Sequence, residues 1–511
     1  MEHTECTVDA PCGRLKGIRK GGVSVFRGIP FALPPAGERR FLPPEKLPPW
    51  PGERDATRFG FICPQAPAAM EGLLGAALGE QSEDCLFLNV WTPGTDAQRR
   101  PVMVWLHGGA YAFGAGSQGI YNGRHLASRG DVVVVTLNYR LGALGFLNLS
   151  DATDGALPGL GSEGLMDQIE GLLWVRENIA SFGGDPDNVT LFGESAGGMS
   201  VACLLASPLS RGLFHKAIAQ SGAGHIGYAR ERSARVAAAF LAELGLSPAN
   251  AREVLALPHQ KLAGAQLAIL RNARDGDEPE HLGKMPFQPT IEGVVLRDHP
   301  FATMQRGEGM EGPLLVGTTR EEWRLFTAID PRARLTFASG AERRIAAAMG
   351  AHADLVGAAY REGSGFERWN AFMTDRIFTV PALRLANAHG ANGNPTYLYR
   401  FDWTSPLMGG VFGACHALEL GFVWGTHAGR LANKFFGDGP DAAALSAAMM
   451  DAWIAFARAG DPSVGEMPWP PFAAGGRVMV FGRDAPQTQM QAPDAARLRA
   501  WSEVPDRLVG T

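Results

Sequence analysis

The chain has 511 residues, of which 46% are hydrophobic and 19% are charged, and its formal net charge is −5 at pH 7. This composition allows a large buried core and argues against an intrinsically disordered protein. Because the net charge is mildly negative and the basic residues form no cluster, the sequence argues against nucleic acid or an anionic membrane surface as a partner.

The amino-terminal part begins with predicted strands. Residues 7–32 alternate apolar and polar side chains around glycines, which predicts short antiparallel strands. The proline-dense stretch 30–51 is predicted to be extended and irregular. Two more strands are predicted at 86–91 and 102–106.

The middle of the chain alternates strands and helices. Strands are predicted at 132–137, 188–192 and 217–219, with helices at 165–181 and 199–206 between them. The first of these helices is followed by Phe182-Gly183-Gly184-Asp185-Pro186, which is a stop signal. Strand, helix and strand in succession predict βαβ units and a largely parallel sheet.

The second half adds helical excursions to this sheet. Residues 228–280 and 340–390 have helical spacing, strands are predicted at 313–317, 396–401 and 478–481, and a last helix at 442–459. No linker composition divides the chain. We therefore predict a single domain over 1–511, with helical insertions at about 228–310 and 325–395.

The motif with the clearest chemistry is Gly193-Glu194-Ser195-Ala196-Gly197, between a predicted strand and a predicted helix. In this context G-x-S-x-G is typical of a nucleophile elbow, a sharp turn that holds the serine hydroxyl clear of the sheet. The amide N–H of Ala196 would lie at a helix start, where developing negative charge is stabilised. Ser195 is therefore the predicted nucleophile.

A serine nucleophile needs a base and an acid, which in such a sheet follow the serine in the order acid, then histidine. Glu321 and Glu322 both follow the strand at 313–317, and only one of them can point at the histidine. His416 lies on a small-residue loop before an apolar helix start, as catalytic histidines do, and is the predicted base. His427 is the alternative base.

A further motif, His107-Gly108-Gly109-Ala110, directly follows the strand at 102–106. Backbone N–H groups of an HGGG-type element stabilise the charge on a tetrahedral oxygen. Glycines there let the backbone come within hydrogen-bond distance of a substrate. Together with the elbow, this motif predicts an oxyanion hole.

Three stretches extend these motifs into a family resemblance. They are Phe26-Arg27-Gly28-Ile29-Pro30-Phe31-Ala32, Ser82-Glu83-Asp84-Cys85-Leu86-Phe87-Leu88-Asn89-Val90, and the block 167–198 around the elbow. With these stretches the chain resembles the type-B carboxylesterases, which include cholinesterases and bacterial para-nitrobenzyl esterases, over almost its whole length. The resemblance implies an α/β-hydrolase fold, with a large, mostly parallel central sheet, helices on both faces and helical insertions that cap the site.

The resemblance also assigns roles to particular residues. It implies Ser195 as nucleophile, Glu322 as acid and His416 as base. It implies that Gly108, Gly109 and Ala196 supply the oxyanion N–H groups, and that Glu194 and Glu419 tune the site electrostatically. It also implies that Met373 and Phe378 line the pocket and that Cys63 and Cys85 match a disulfide of the family. Trp323 departs from the family, because it replaces the glycine that usually follows the acid, and it is a further candidate pocket residue.

The function hypothesis is hydrolysis of carboxylic esters through an acyl-enzyme intermediate, with no metal or cofactor. Neutral, hydrophobic esters of small to medium size are the predicted substrates, since no arginine cluster for an anionic group is evident. The alternatives are the same triad acting on amides, lactones or carbamates or transferring acyl groups, and a catalytically silent binding protein of the same fold.

The expected location and partners follow from simple features. The amino terminus lacks the basic and apolar regions of a signal peptide, and the four-valine run at 132–135 is too short to span a bilayer. We therefore predict a cytoplasmic protein without a membrane or nucleic-acid partner. Its expected partner is a small-molecule ester, and its expected state is a monomer or a weak homo-oligomer.

Overall fold

A mixed sheet of thirteen strands runs through the described part of the chain. The computed structural model describes residues 4–66, 79–275, 285–328, 340–429, 432–465, 467–472, 476–483, 487–489 and 495–510. The strands are β1 Thr4–Ala10, β2 Gly13–Lys20, β3 Val23–Pro30, β4 Glu53–Asp55, β5 Phe87–Thr92, β6 Arg100–Leu106, β7 Val133–Leu137, β8 Gly184–Glu194, β9 Lys216–Gln220, β10 Leu314–Thr319, β11 Thr396–Phe401, β12 Val478–Phe481 and β13 Gln487–Gln489.

The order of the strands is β1-β2-β3-β5-β7-β6-β8-β9-β10-β11-β12-β13, and β4 pairs with β2. The strands from β7 through β6, β8, β9, β10 and β11 to β12 pair in parallel. The pairs β1–β2, β2–β3, β3–β5, β5–β7 and β12–β13 are antiparallel. The predicted antiparallel start and parallel centre are therefore confirmed.

Helices connect and cover these strands. They are α1 Arg124–Gly130, α2 Gly142–Gly145, α3 Leu149–Ala152, α4 Glu163–Asn178, α5 Ala196–Ala206, α6 Arg230–Glu243, α7 His259–Asp275, α8 Pro300–Gln305, α9 Arg324–Ala328, α10 Ala341–Met349, α11 Ala353–Ala358, α12 Gly365–Thr374, α13 Val380–Ala391, α14 Leu420–Val423, α15 Asn433–Phe436, α16 Pro440–Ala459 and α17 Ala495–Arg499. Over the ranges that the structure describes, no helix has both the length and the apolar character needed to cross a bilayer.

The alternation of side chains along the strands gives the sheet two buried faces. In β6, Val102 and Val104 belong to a core cluster with α4 and α5, whereas Met103 and Trp105 belong to a second cluster with α1 and α16. Since successive side chains of a strand point to opposite faces, one fully apolar strand serves both layers. The predicted α/β-hydrolase arrangement, with helices on both faces, is confirmed.

Both predicted insertions contain helices. The first insertion contains α6, α7 and α8, and residues 276–284 lie outside the described ranges. The second contains α9 to α13, and residues 329–339 lie outside them. Its helices form a third cluster with the carboxyl-terminal residues Trp501, Val504 and Val509. A π-helical turn, Asp375–Thr379, joins α12 to α13.

Candidate active site

The carboxyl ends of neighbouring parallel strands bring the candidate residues together. Ser195 directly follows β8, Glu322 comes three residues after β10, and His416 lies on the loop between β11 and α14. In an open parallel sheet this edge is where ligands bind. The same edge carries Gly108 and Gly109, which follow β6.

Ser195 occupies a strained turn between β8 and α5. Its backbone angles are φ 56° and ψ −123°, a conformation that L-residues rarely adopt and that is typical of functional sites. A Cβ on Gly193 would lie 2.6 Å from the carbonyl carbon of Gly197, and a Cβ on Gly197 would lie 2.0 Å from the Leu106 oxygen. Both glycines are therefore required by the tight packing of strand against helix.

Backbone N–H groups surround the serine. A Cβ on Gly108 would lie 3.1 Å from the Ser195 Cβ, so the backbone after β6 comes directly against the serine. Ala196 is the first residue of α5, where the helix dipole is positive. Among the described residues, no hydrogen bond uses the N–H of Gly109 or of Ala196. These two donors are free for an oxyanion.

The imidazole of His416 is held by Glu322. His416 Nδ1 donates to Glu322 Oε2 at 2.7 Å, and Glu322 Oε1 accepts from Ser221 Oγ at 2.6 Å and from the Thr319 amide at 2.7 Å. The Glu322 side chain is fully buried. A carboxylate fixed by the Ser221 and Thr319 donors orients the ring and, in the neutral imidazole, keeps the proton on Nδ1, so that Nε2 can accept a proton.

The two adjacent glutamates point in different directions. Glu321 Oε2 accepts from the Ala414 amide at 3.0 Å, and its Oε1 lies 2.8 Å from Arg324 Nε. The Glu321 side chain is 23% exposed. Of the two glutamates, Glu322 is the one that contacts the histidine. The alternative base, His427, stacks instead on Phe422, with ring centroids 5.3 Å apart.

A second carboxylate lies on the other side of the imidazole. His416 Nε2 is 3.0 Å from Glu194 Oε1, the carboxylate of the residue before the serine. Among the described hydrogen bonds, none joins Ser195 Oγ to His416. A third carboxylate, Glu419, completes a buried cluster with His416, Glu322 and Glu194. Its Oε1 accepts from Gln220 Nε2 at 3.2 Å.

The charges of this cluster shift the titration of its members. Burial lowers the pKa of His416, but Glu194 and Glu322 raise it by more, and the resulting pKa is about 9. Burial raises the pKa of Glu194 and of Glu419, and the neighbouring carboxylate of Glu322 adds to both shifts. Glu194 and Glu419 both lie close enough to raise the pKa of His416, Glu194 by the larger amount.

A cavity of about 210 Å³ opens onto the serine. Its lining is mostly apolar, and the Phe326 and Phe378 rings lie 5.4 Å and 4.7 Å from the His416 ring, centroid to centroid. The wall residues beside the catalytic candidates are Phe113, Gln118, Tyr121, Met199, Met285, Trp323, Phe326, Ile377, Phe378, Ala417 and Leu420. Walls from both insertions thus enclose the site.

The pocket prediction needs one correction. Trp323 and Phe378 line the cavity, as predicted, but Met373 does not belong to the described lining. Met373 is buried in the third core cluster, with Trp369 and Phe372. It lies on α12, before the π-helical turn, and there its side chain packs within the insertion and not against the cavity.

The two cysteines of the predicted disulfide are free, buried thiols in the structure. Cys85 faces Cys63, and this contact together with burial raises the pKa of the Cys85 thiol. Cys63 Sγ also accepts from the Leu141 amide at 3.3 Å. The thiols are neighbours, and their oxidation to a disulfide stays a prediction.

The structure also adds residues that sequence reasoning missed. Ser221 holds Glu322, and its place directly after β9 at the active edge of the sheet was an available signal. Phe326 and Tyr121 line the cavity, but no local motif distinguishes them from other buried aromatic residues. Their roles come only from tertiary packing.

Comparison with known proteins places this geometry in context. A model of the carboxylesterase family matches residues 4–501. The chain is 41% identical to a para-nitrobenzyl esterase of Bacillus subtilis over 475 residues, which cover 92% of this chain and 93% of that protein. It is 34% identical to a phenmedipham hydrolase of Pseudarthrobacter oxydans over 509 residues, covering 95% and 97% of the two chains.

Solved structures agree with these sequence matches. A crystal structure of the Geobacillus stearothermophilus carboxylesterase EST55 superposes with a TM-score of 0.85 at 37% identity, covering 97% of this chain and 100% of that chain. A solved structure of a PNB esterase superposes with a TM-score of 0.85 at 38% identity, covering 97% of this chain and 99% of that chain.

Proposed function

The chain belongs to the carboxylesterase family, and from this membership we propose that it cleaves neutral carboxylic esters through a Ser195–His416–Glu322 triad and an acyl-enzyme intermediate. The observation that carries the proposal is the 2.7 Å hydrogen bond from His416 Nδ1 to the buried Glu322, beside a strained serine at the elbow. A hydroxyl becomes a nucleophile when a base of this kind is oriented next to it.

The proposed reaction has two halves. Ser195 Oγ attacks the ester carbonyl while its proton passes to His416 Nε2, and the N–H groups of Gly108, Gly109 and Ala196 stabilise the oxyanion. His416 then protonates the departing alcohol. Water, deprotonated by the same nitrogen, releases the acid and restores the serine. A Ser195–His416 hydrogen bond, absent from the described contacts, is expected to form when substrate fills the cavity.

The substrate class follows from the cavity. Its described lining is mainly aromatic and aliphatic, and it includes no lysine or arginine. Glu194 is the acidic group in this lining. In the reactive form, in which His416 is neutral, an anionic acyl or alcohol group would be desolvated without a cationic partner and would be repelled by the carboxylates, so neutral hydrophobic esters should be preferred.

Covalent labelling tests the proposal directly. We expect a fluorophosphonate probe to modify the peptide containing Ser195 with one probe per chain. The rate of hydrolysis of a para-nitrophenyl acyl series should fall in proportion to the fraction of protein that is labelled. Hydrolysis that survives complete labelling, or a label on another residue, would contradict the proposed nucleophile. Folded protein that neither hydrolyses nor labels would favour the silent binding protein. If kcat/KM is higher for matched amides, lactones or carbamates than for the esters, that class of compound is the preferred substrate instead.

The pH dependence gives an independent prediction. His416 must be neutral to accept the serine proton, so kcat/KM should rise with pH through the pKa of His416, which is about 9. Glu194→Gln removes the carboxylate next to Nε2, which destabilises the imidazolium and lowers this pKa. The ascending limb of the kcat/KM profile should therefore move to lower pH in the variant.

The matched control is Glu163→Gln. Glu163 is also buried, and burial raises its pKa to about 7, but its carboxylate accepts from the amides of Leu160 and Gly161, away from the histidine. In this variant the ascending limb of the kcat/KM profile should stay at the same pH as in the wild type. A limb that stays in place or moves to higher pH in Glu194→Gln would disprove the assigned electrostatic role.

A further inference from the structure

The loop after β6, residues 108–114, has an unusual backbone. Four of its residues have positive φ angles: 117° at Gly109, 51° at Ala110, 58° at Tyr111 and 111° at Gly114. Ala110 and Tyr111 carry side chains, for which this region is unfavourable. Such strain persists only where the surroundings hold the backbone in place. Something must therefore hold this loop.

The loop is first held by its own turn. The Gly109 carbonyl accepts from the amides of Ala112 and Phe113, at 2.9 Å and 3.1 Å. A Cβ on Gly109 would lie 2.0 Å from the Phe113 oxygen, so the turn leaves no room for a side chain at this position. The position of Gly109 consequently depends on where residues 112–114 are held.

Gln65 holds one end of this turn. Gln65 Oε1 accepts from the Gly114 amide at 2.7 Å, and Gln65 Nε2 donates to the Gly114 carbonyl at 3.0 Å and to the Cys63 carbonyl at 2.9 Å. The side chain is only 3% exposed. One buried amide thus satisfies both polar groups of Gly114 and ties the loop to the segment around Cys63.

Gln266 reaches the same turn from the first insertion. It lies on α7, where its Nε2 donates to the Ala112 carbonyl at 3.1 Å and its Oε1 accepts from the Ala143 amide at 3.1 Å. It is likewise 3% exposed. A Cβ on Gly142 would lie 1.9 Å from Gln266 Oε1, so the backbone there is shaped around this side chain.

We propose that Gln65 and Gln266 are positioning residues that clamp the strained loop 108–114, so that the N–H group of Gly109 faces the tetrahedral oxyanion. The inference rests on the proposed function, which assigns this N–H group to the oxyanion. Neither glutamine belongs to the described lining of the cavity. Both act through the loop, and their effect should appear in the transition state more than in substrate binding.

The main test uses Gln65→Met, which keeps the length and apolar volume of the side chain but removes its hydrogen bonds. We expect kcat for a para-nitrophenyl ester to fall roughly 10- to 100-fold, with KM changed by less than about threefold. The affinity for a trifluoromethyl ketone, which forms an oxyanion on the serine, should fall by a similar factor. The affinity for the matched methyl carbinol, which forms none, should stay unchanged.

A second variant and a matched control keep the test decisive. Gln266→Met removes the other half of the clamp and should show the same split between the two inhibitors. Asn178→Leu removes a buried amide that bonds the Cys12 amide and the Trp174 carbonyl, remote from the loop, and should keep wild-type kcat and inhibitor affinities. Thermal melting of all three variants measures the loss of stability that each one suffers from losing buried hydrogen bonds.

The outcomes separate this proposal from the proposed function. If Gln65→Met and Gln266→Met bind the trifluoromethyl ketone as tightly as Asn178→Leu does, the clamp is overturned while the triad stands. Equal losses of affinity for ketone and carbinol would also overturn it, because they would indicate a general change of the cavity. Hydrolysis that persists in Ser195→Ala, measured in the same assay, would overturn the proposed function instead.

Discussion

Replacing Ser195 by alanine is expected to lower kcat for a para-nitrophenyl ester by a factor on the order of 10⁶. The variant lacks the oxygen that forms the acyl-enzyme, whereas the oxyanion donors and the cavity remain and support a small residual rate. Alanine adds no bulk at the strained elbow, where φ is 56°. Substrate analogues should therefore still bind. Steady-state kinetics and fluorophosphonate labelling of wild type and variant measure the loss.

The control for this variant is Ser446→Ala. Ser446 is also buried, and its hydroxyl donates to the Phe422 carbonyl at 2.8 Å, away from the elbow. Its replacement should cost stability at most and leave labelling intact. A Ser195→Ala protein that retains more than about a hundredth of wild-type kcat would exclude Ser195 as the nucleophile, because nucleophile loss in a triad costs far more than that.

Replacing Glu322 by glutamine is expected to lower kcat by a factor on the order of 10⁴. Glutamine fits the same space, but its amide group can donate to His416 Nδ1 and so favours the tautomer with the proton on Nε2. That nitrogen could then no longer accept the serine proton. Ser221 and Thr319 both donate to this side chain, so they hold the amide oxygen of glutamine on their side and turn its NH₂ group towards the histidine. The measurement is kcat/KM across the pH range, with folding checked by circular dichroism.

The neighbouring residue supplies the matched control. Glu321→Gln makes the same chemical change one position earlier, where the carboxylate contacts Arg320 and Arg324 and is partly exposed. Partly exposed ion pairs contribute little, and the glutamine oxygen can still accept from the Ala414 amide, so the expected change in kcat/KM is less than about threefold. Equal losses in the two variants, or a larger loss in Glu321→Gln, would show that the acid has been assigned to the wrong glutamate.

Much of the fold follows from local patterns. The helix predicted at 165–181 forms as α4 and continues as the 3-10 turn Ile179–Phe182, and the strand predicted at 396–401 has the bounds of β11. These elements are readable because hydrophobic periodicity and glycine–proline stop signals act over a few neighbouring residues. The elbow is readable for the same reason, since its strand, turn and helix are contiguous.

Other features could not be read locally. The local pattern left Glu321 and Glu322 open, and only the family resemblance implied Glu322. Adjacent side chains differ only in direction, and that direction is set by the loop carrying Ala414 and His416. Side-chain direction also explains Met373. It lies in a stretch assigned to the pocket, but its side chain points into the third core cluster, between the helices of the second insertion. Gln65 and Gln266 gave no signal, because their partners are backbone groups at positions 112–114 and 143.

The sequence by itself thus determined the order of strands and helices, the strained serine between its glycines, and the residue types of a nucleophile, a base and an acid. The tertiary structure decided which glutamate meets His416, which carboxylates raise its pKa, and which aromatic rings enclose the cavity. The physical reason is the sequence separation over which each interaction acts. Backbone conformation and periodic burial are encoded within one turn or one strand, whereas electrostatics and side-chain direction depend on groups that meet only after distant segments pack.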